Sequence, residues 1–262
     1  MMRHPFSPFA LIGFTLAVLA ALAAMLSGFG SRWGLWYFRT GFVILRWAAY
    51  VGIAAALASL IGAILTWPTT LRRGFLFSIF GLVIGILVFG VPWSYWRTAQ
   101  RVPAIHDITT DTENPPRFVS ILPLRKNAPN PSEYGGPEIA VKQRAAYPDL
   151  APAVLSAPAD KAFEQALTAA RKMGWVIVDA NAAEGRIEAT DTTFWFGFKD
   201  DIVIRITPAD QGSRVDIRSV SRVGKSDVGT NAKRIRKYLK ELNQTGRTVS
   251  HRHPARSLGS SG

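Results

Sequence analysis

The side chains best suited to chemistry in this chain are carboxylates, because its 262 residues include no cysteine and only four histidines. The histidines lie near the termini or in a linker: His4, His106, His251 and His253. Asp191, Asp201 and Asp227 fall in the part that is predicted to fold, and two acids within reach of each other in a cleft would suit a hydrolase. A carboxylate hydrolase is therefore one hypothesis, but the spacing indicates no definite catalytic set, no metal site and no cofactor.

A second group of polar residues favours binding. Arginines and acids alternate along the predicted strands, and cross-strand ion pairs on a solvated sheet face would explain most of that pattern. Arginine also suits bidentate contact with phosphate or carboxylate, so the same face is a candidate surface for an anionic or zwitterionic partner. The residues predicted to contact a ligand or partner are Trp195, Arg205, Arg218, Arg186, Asp191, Asp227 and Asn231.

Basic residues also line one side of the last predicted helix, opposite its apolar stripe. They are Lys233, Arg234, Arg236, Lys237 and Lys240. Anionic lipid headgroups are the first partner that such a patch suggests beside a membrane, and a solvated helix face is the alternative. A nucleic-acid partner is not favoured, because no aromatic platform accompanies the basic residues.

The elements that must position these residues form an α+β two-layer domain. Apolar residues at helical spacing predict a helix in "SAPADKAFEQALTAARKMGW" and another over 228–243. Four strands are predicted between them, at 175–179, 186–191, 201–207 and 213–223, and the short connections favour antiparallel pairing. The expected result is a four-stranded antiparallel sheet with two helices on its apolar face and a charged face open to solvent.

The stretch "DTTFWFGFKDD", residues 191–201, has two interpretations. By alternation Phe194, Phe196 and Phe198 share one side and are expected in the core, with Trp195 on the other side. An outward tryptophan beside Gly197 would suit contact with a ligand or a bilayer. The adjacent Asp200 and Asp201 point to opposite faces of a strand and do not form a catalytic pair.

The amino-terminal part has the composition of a membrane anchor. Its first 106 residues contain eight arginines and no acidic residue. Three apolar stretches, 9–29, 47–67 and 75–96, reach the length of about 20 residues that a transmembrane helix needs. The first is too long for the apolar part of a cleaved signal peptide, so a retained anchor is expected. The row Gly81-x-x-x-Gly85 allows close helix packing, within the anchor or in an assembly with another protein.

Between anchor and domain, residues 97–158 are predicted to be a Pro-rich linker and wrapping segment. The soluble module is expected over 159–243, followed by a disordered basic tail over 244–262. Three spans put the amino terminus and the module on opposite sides of the membrane. The arginine count leans slightly toward a cytoplasmic module.

The chain also resembles an uncharacterised bacterial domain-of-unknown-function family over about residues 105–243. The resemblance rests on "NPPRF", "YPDL", "MGW", "GRIEATDTTFWFGFKDDIVIRI" and "GSRVDIRSVSRVGKSDVGTNAKRIRKYL". That family includes lipoproteins and proteins with several transmembrane helices, which implies a periplasmic module and outweighs the small charge difference. It implies no catalytic residue, and Asp191, Asp227 and Asn231 would equally suit a role in holding the sheet to the last helix.

The sequence thus predicts a multi-pass inner-membrane protein that displays a non-enzymatic binding module, in the periplasm, for an envelope lipid or protein. The alternatives are the envelope hydrolase and an assembly subunit that acts through its transmembrane helices.

Overall fold

The computed structural model describes residues 5–68, 70 and 72–252, with side-chain surroundings as far as Gly246. The chain divides into two compact units. The first contains the residues up to Arg101 together with Thr193–Gly197, and the second contains the remainder from Val102.

The first unit contains three long apolar helices: α1 (Pro8–Arg32), α2 (Phe38–Leu65) and α3 (Phe75–Ala99). Each is long and apolar enough to cross a membrane, with a mean hydropathy of 2.5, 2.2 and 2.5 in its most apolar window. At 1.5 Å per residue, 25 residues extend about 38 Å, more than the hydrocarbon thickness of a bilayer. The three apolar helices predicted from the sequence are confirmed, and α2 begins earlier, at Phe38.

Small residues bring these helices together. In α1 the buried residues are all alanine, glycine or serine, whereas large side chains such as Leu19 lie on the outside. A Cβ atom on Gly85 would lie 2.6 Å from the carbonyl oxygen of Gly52, and one on Gly81 would collide with Ser59 and Phe14. The glycine row of α3 therefore packs against α1 and α2 within this unit.

The second unit is an antiparallel sheet with helices on one face. Its strands are β1 (Asp107–Thr109), β2 (Ala153–Leu155), β3 (Val176–Asn181), β4 (Arg186–Thr192), β5 (Lys199–Ala209) and β6 (Gly212–Ser221). Its helices are α4 (Gly136–Ala146), α5 (Ala159–Lys172) and α6 (Thr230–Arg252), with a short 3₁₀ helix at Leu122–Arg125. Residues 253–262 of the predicted tail lie outside the described residues.

The prediction of a four-stranded sheet is wrong, because the described residues form a sheet of six strands. The order is β1-β6-β5-β4-β3, and β2 pairs with the other end of β6. Both added strands come from residues 97–158, where only a linker and wrapping segment was predicted. Each is three residues long, which is too short to show an alternating pattern in the sequence.

The alternation of β5 and β6 divides the sheet as predicted into an apolar and a charged face. Ile202, Ile204 and Ile217 are fully buried against α5 and α6, and Trp175 stacks on Tyr238 of α6 at a ring-centroid distance of 5.3 Å. The charged face was expected to be solvated, and that expectation is wrong. Its charged residues are largely buried beneath residues 110–135: Arg186, Glu188, Asp201, Asp216 and Arg218.

The three phenylalanines of "DTTFWFGFKDD" do not form a core under the helices of the sheet. The strand ladder stops at Thr192 and resumes at Lys199, and residues 194–196 form a turn. Gly197 has a φ of +68°, a left-handed conformation that ends the extended strand. Phe194 is 79% exposed, and only Phe196 is buried.

Candidate binding face

The charged face of the sheet is covered by an irregular segment, residues 110–135, that buried ion pairs hold in place. Arg218 of β6 binds Asp107 of β1 through two hydrogen bonds, Nε to Oδ1 at 2.9 Å and Nη2 to Oδ2 at 2.7 Å. The same guanidinium donates to the carbonyl oxygens of Pro116, at 3.1 Å, and Ser132, at 2.7 Å. It thereby joins β1, β6 and two points of the covering segment.

Two aromatic rings enclose this guanidinium. The Arg218 Cζ lies 5.2 Å from the ring centroid of Phe118 and 5.6 Å from that of Tyr134. Burial raises the pKa of the Tyr134 hydroxyl to about 12, and the nearby Asp107 carboxylate contributes in the same direction. The Tyr134 oxygen has no hydrogen-bond partner among the described residues. Arg218 is only 2% exposed, so it serves as an anchor of the covering segment inside the domain and is not a surface residue.

A second anchor is centred on Asp201 of β5, which is fully buried. Its Oδ2 accepts from Arg125 Nη1 at 2.6 Å, and Arg222 contacts both carboxylate oxygens at 2.8 Å. The hydroxyl of Thr190 donates to Oδ1 at 2.7 Å. Because Arg125 ends the 3₁₀ helix and Arg222 also donates to the carbonyl of Leu124, this cluster fixes the end of that helix.

A third anchor is Glu188 of β4, also fully buried. Its carboxylate accepts from the backbone N–H groups of Val119 at 2.7 Å, Ser120 at 3.2 Å and Ile121 at 2.8 Å. These N–H groups immediately precede the 3₁₀ helix, where free donors attract a negative charge. Arg186 Nη1 completes the cluster at 2.5 Å from Oε1.

A more exposed cluster lies farther along β5 and β6. Arg205 Nη2 contacts Asp111 at 3.0 Å and Asp216 at 2.9 Å, and Arg214 contacts the same two acids. Partial burial opposes ionisation of Asp111, but backbone N–H groups and the two arginines leave its pKa below the ordinary value. The Arg205 Nε is buried and has no hydrogen-bond partner in the described part of the chain.

An open cleft of about 190 Å³ lies between the covering segment and the strands that carry Arg186 and Arg205. Its lining residues are Pro116, Arg117, Val119, Glu184, Arg186, Val203 and Arg205. Arg117 is exposed and makes no hydrogen bond or ion pair with any described residue. The cleft thus combines apolar side chains, the Glu184 carboxylate and three guanidinium groups, of which Arg186 and Arg205 are already paired with acids. The guanidinium of Arg117 is left to bind an anionic group by bidentate contact.

Most of the second unit is covered by the model of a known protein family. A family model described as "protein of unknown function (DUF1499)" matches residues 107–242, just over half of the chain. The chain belongs to that family. The match begins at Asp107, the partner of Arg218, and ends in α6, so the predicted resemblance over about 105–243 is confirmed. A search of curated proteins finds no match.

Within the DUF1499 domain, the residues predicted to bind a partner separate into different places. Arg186 and Arg205 line the cleft, and Arg218 is buried beneath the covering segment. Trp195 belongs to the first unit, where its Nε1 donates to the carbonyl of Met25 at 3.1 Å and its ring lies against Gly28.

Asp191, Asp227 and Asn231 lie instead on the helix-covered face of the DUF1499 domain. Arg234 of α6 donates to Asp191 at 2.8 Å, to Asp200 at 2.6 Å and also to Asn231. Asn231 in turn donates to the carbonyl of His106 at 2.9 Å. These contacts join α6, the start of β1 and the β4–β5 end of the sheet.

Asp227 caps the amino terminus of α6. Its carboxylate accepts from the backbone N–H groups of Gly229 at 2.7 Å and Asn231 at 2.8 Å. Burial raises its pKa, because the low-dielectric surroundings oppose ionisation more strongly than the two N–H groups favour it. Val228, beside it, has a φ of 54°, a strained conformation for a β-branched residue.

The three carboxylates of the hydrolase hypothesis are not assembled in one cleft. Asp201 lies on the charged face of the DUF1499 sheet, whereas Asp191 pairs with Asp200 across the ladder and faces the helices. Asp191 and Asp201 each contact at least one arginine, and Asp227 caps a helix.

The predicted basic side of the last helix is only partly exposed. Arg234 is buried in the ion-pair network described above, so its assignment to a surface patch is wrong. Arg236 lies at the surface, where it pairs with Asp149 at 2.6 Å. The exposed lysines of α6 are Lys233, Lys237 and Lys240.

Sequence reasoning missed the exposed part of the covering segment. Arg117, Val119, Leu122 and Leu124 all lie in "NPPRFVSILPLRKNAPNPS", which contains no acidic residue. That absence of acids around an apolar centre was the available signal, but the many prolines indicated only irregular chain.

Proposed function

We propose that this chain is a multi-pass inner-membrane protein whose DUF1499 domain is a non-enzymatic binding module. The module would lie in the periplasm and bind an envelope lipid or protein. Three membrane-capable helices and the family membership support the general arrangement. The resemblance to lipoprotein members supports the periplasmic side.

The observation that carries the binding role is the cleft around Arg117. Arginines in the anchors of the charged face have acidic partners, but Arg117 is exposed and unpaired within the described chain. Arg205 presents a partly exposed guanidinium to the same cleft. A volume of about 190 Å³ suits a small charged group, such as a phosphate or carboxylate, better than a large substrate.

Binding is favoured over hydrolysis by the surroundings of the acids. A general acid or base must reach a proton on the substrate. Asp191 and Asp201 are instead engaged by arginines, and Asp227 by backbone N–H groups. Likewise Gly81 and Gly85 pack inside the first unit, which leaves this row occupied and does not favour an assembly role for it.

Two measurements test this function. Fusions of alkaline phosphatase and, separately, of a fluorescent protein to the carboxyl terminus should give phosphatase activity without fluorescence. A photoactivatable cross-linker at Val119, in intact cells, should then capture a discrete envelope component. The matched control is the same cross-linker at Val154, an exposed valine of β2 outside the cleft.

Arg117→Gln together with Arg205→Gln should abolish the adduct from position 119 while protein abundance stays unchanged. Fluorescence without phosphatase activity would refute the periplasmic placement. An adduct that forms equally at Val154, or that survives the loss of both arginines, would refute the cleft as the binding site.

A further inference from the structure

The covering segment of the DUF1499 domain ends in an exposed apolar tip. Val119, Leu122 and Leu124 are 52%, 43% and 55% exposed, and Pro123 between the leucines is exposed as well. Four apolar residues thus come to the surface within six positions of the chain. Scattered exposed apolar side chains are normal in proteins, but a contiguous group of them marks an interaction surface.

The tip is held firmly on both sides. Glu188 binds the N–H groups of Val119, Ser120 and Ile121, so the chain enters the 3₁₀ helix at a fixed position. At the other end, Arg125 is anchored on Asp201, and Arg222 binds the carbonyl of Leu124. Ile121, between the exposed residues, is fully buried against Phe118, Val203 and Val220. The exposed side chains therefore belong to a built surface.

The charges around the tip indicate the chemistry of its partner. Arg117 precedes the tip and Lys126 follows it, and both are exposed without an ion pair in the described chain. No acidic residue occurs between Glu113 and Glu133. An apolar centre with basic residues on either side complements a surface that is apolar beneath a negative layer, which describes a bilayer with anionic phospholipids.

We propose that this tip contacts an anionic lipid surface. Val119, Leu122 and Leu124 enter the boundary between headgroups and acyl chains, and Arg117 and Lys126 lie at the phosphates. The inference rests on the proposed binding function and names lipid as the partner of the same face. Chain connectivity favours lipid over a protein partner, because the domain begins directly after the membrane-capable helix α3 and is kept near a bilayer at high effective concentration.

The absence of cysteine from the chain makes a direct test possible. Full-length Leu122→Cys, labelled with a polarity-sensitive fluorophore, is reconstituted in nanodiscs that contain phosphatidylglycerol. We expect a blue-shifted emission that nitroxide-labelled lipid quenches and aqueous iodide does not. Leu124→Cys provides an independent second position. The matched control is Val154→Cys, which is 68% exposed and lies on β2, and its label should remain accessible to iodide.

The charge requirement is tested in the same system. One basic residue near an anionic surface contributes about fivefold to partitioning, so Arg117→Gln with Lys126→Gln should reduce the equilibrium constant for lipid contact about 25-fold. Phosphatidylcholine nanodiscs should produce a similar loss with the unaltered residues. Equal lipid quenching in both lipids, or in the variant, would overturn the anionic-lipid proposal.

The outcomes separate this inference from the proposed function. If labels at 122 and 124 respond to iodide as the label at 154 does, the lipid surface is wrong. The binding function would still stand if the cross-linker at Val119 captured a protein through Arg117 and Arg205. If the lipid contact and the cross-link are both absent, the lipid inference and the binding function fail together.

Discussion

Replacement of Arg218 by methionine should destabilise the DUF1499 domain strongly, although methionine fits a similar elongated volume. The substitution leaves Asp107, which is almost fully buried, without its bidentate partner. It also removes the donor for the carbonyl groups of Pro116 and Ser132. Breaking a buried ion pair from one side costs about 3–5 kcal/mol, because the remaining charge has lost both water and its partner.

Further variants at positions 107 and 218 separate the effect of an unpaired charge on stability from the effect of lost hydrogen-bond geometry. Asp107→Asn alone should also be costly, since it leaves a buried guanidinium without a counter-charge. The double variant Asp107→Asn with Arg218→Met should lose less than the sum of the single losses, because no uncompensated charge then remains. Arg218→Lys keeps the charge but cannot span both carboxylate oxygens and two carbonyls, so it should fall between the wild type and Arg218→Met.

The melting temperature of the purified full-length protein measures the loss of stability. Hydrogen exchange of β6 and the covering segment shows whether the loss is located there. A domain of this size loses about 2–4 °C of melting temperature per kcal/mol, so Arg218→Met should melt about 6–20 °C lower. A melting temperature within about 2 °C of the wild type would refute the structural role of the pair. Simple additivity of the two single losses would refute their coupling. Lost partner binding with unchanged stability would instead restore Arg218 as a contact residue.

Two further predictions concern the helix unit and the response to alkali. Gly85→Leu should prevent α3 from packing, since a Cβ there would lie 2.6 Å from the Gly52 carbonyl oxygen. Gly90→Leu should be tolerated, because no described residue outside its own helix turn lies within 4 Å of a Cβ there. Detergent-extracted protein should be aggregated for the first variant and monodisperse for the second, and equal behaviour would contradict this packing. The pKa of Tyr134 is raised to about 12 in the fold, against 10.0 for an ordinary tyrosine. Its contribution to the stability of the folded domain is therefore fully present below pH 10 and is lost as the pH rises to about 12. Tyr134→Phe should therefore remove that part of the alkaline loss in a comparison of pH-dependent melting, and identical wild-type and variant profiles would refute it.

Local patterns in the sequence were enough for the three long apolar helices, for α5 and α6, and for the four longer strands. Runs of apolar residues without charge identified the three long helices, because a helix of this composition needs no specific tertiary context to be recognised. Alternation in β5 and β6 identified which residues face the helices, with Ile202 and Ile204 on one side and Arg205 on the other. These assignments depend only on residues close together in the chain.

The covering of the charged face could not be predicted in the same way. Arg186 and Arg218 alternate with acids whether the face is open to water or closed by another segment, so the pattern fits both arrangements. The decision depends on residues 110–135, which form little regular structure and therefore have no period. β1 and β2 were missed for a related reason, because three residues that pair with a distant strand carry too little local pattern.

The turn at 193–197 was misassigned because its alternation of aromatic residues imitates a strand. Gly197 in a left-handed conformation ends the ladder, and Phe196 packs on Gly41 and Phe42 of α2. A glycine within a strand pattern often marks a bulge or a close approach of other chain. At Gly197 it marks a close approach, since a Cβ there would lie 2.9 Å from the Arg32 side chain.

The buried charges point to where the function of the DUF1499 domain should be sought. Well-packed apolar residues would stabilise a sheet face at least as well as buried ion pairs, whose desolvation offsets most of their attraction. What Glu188, Asp201 and Arg218 provide is a fixed position for a segment with almost no helix or strand of its own. A segment held in this way has a defined shape, and the side chains it exposes include Arg117, Lys126 and the apolar tip. Changes at those exposed residues should therefore alter binding while the fold survives, whereas changes at the anchors should alter both.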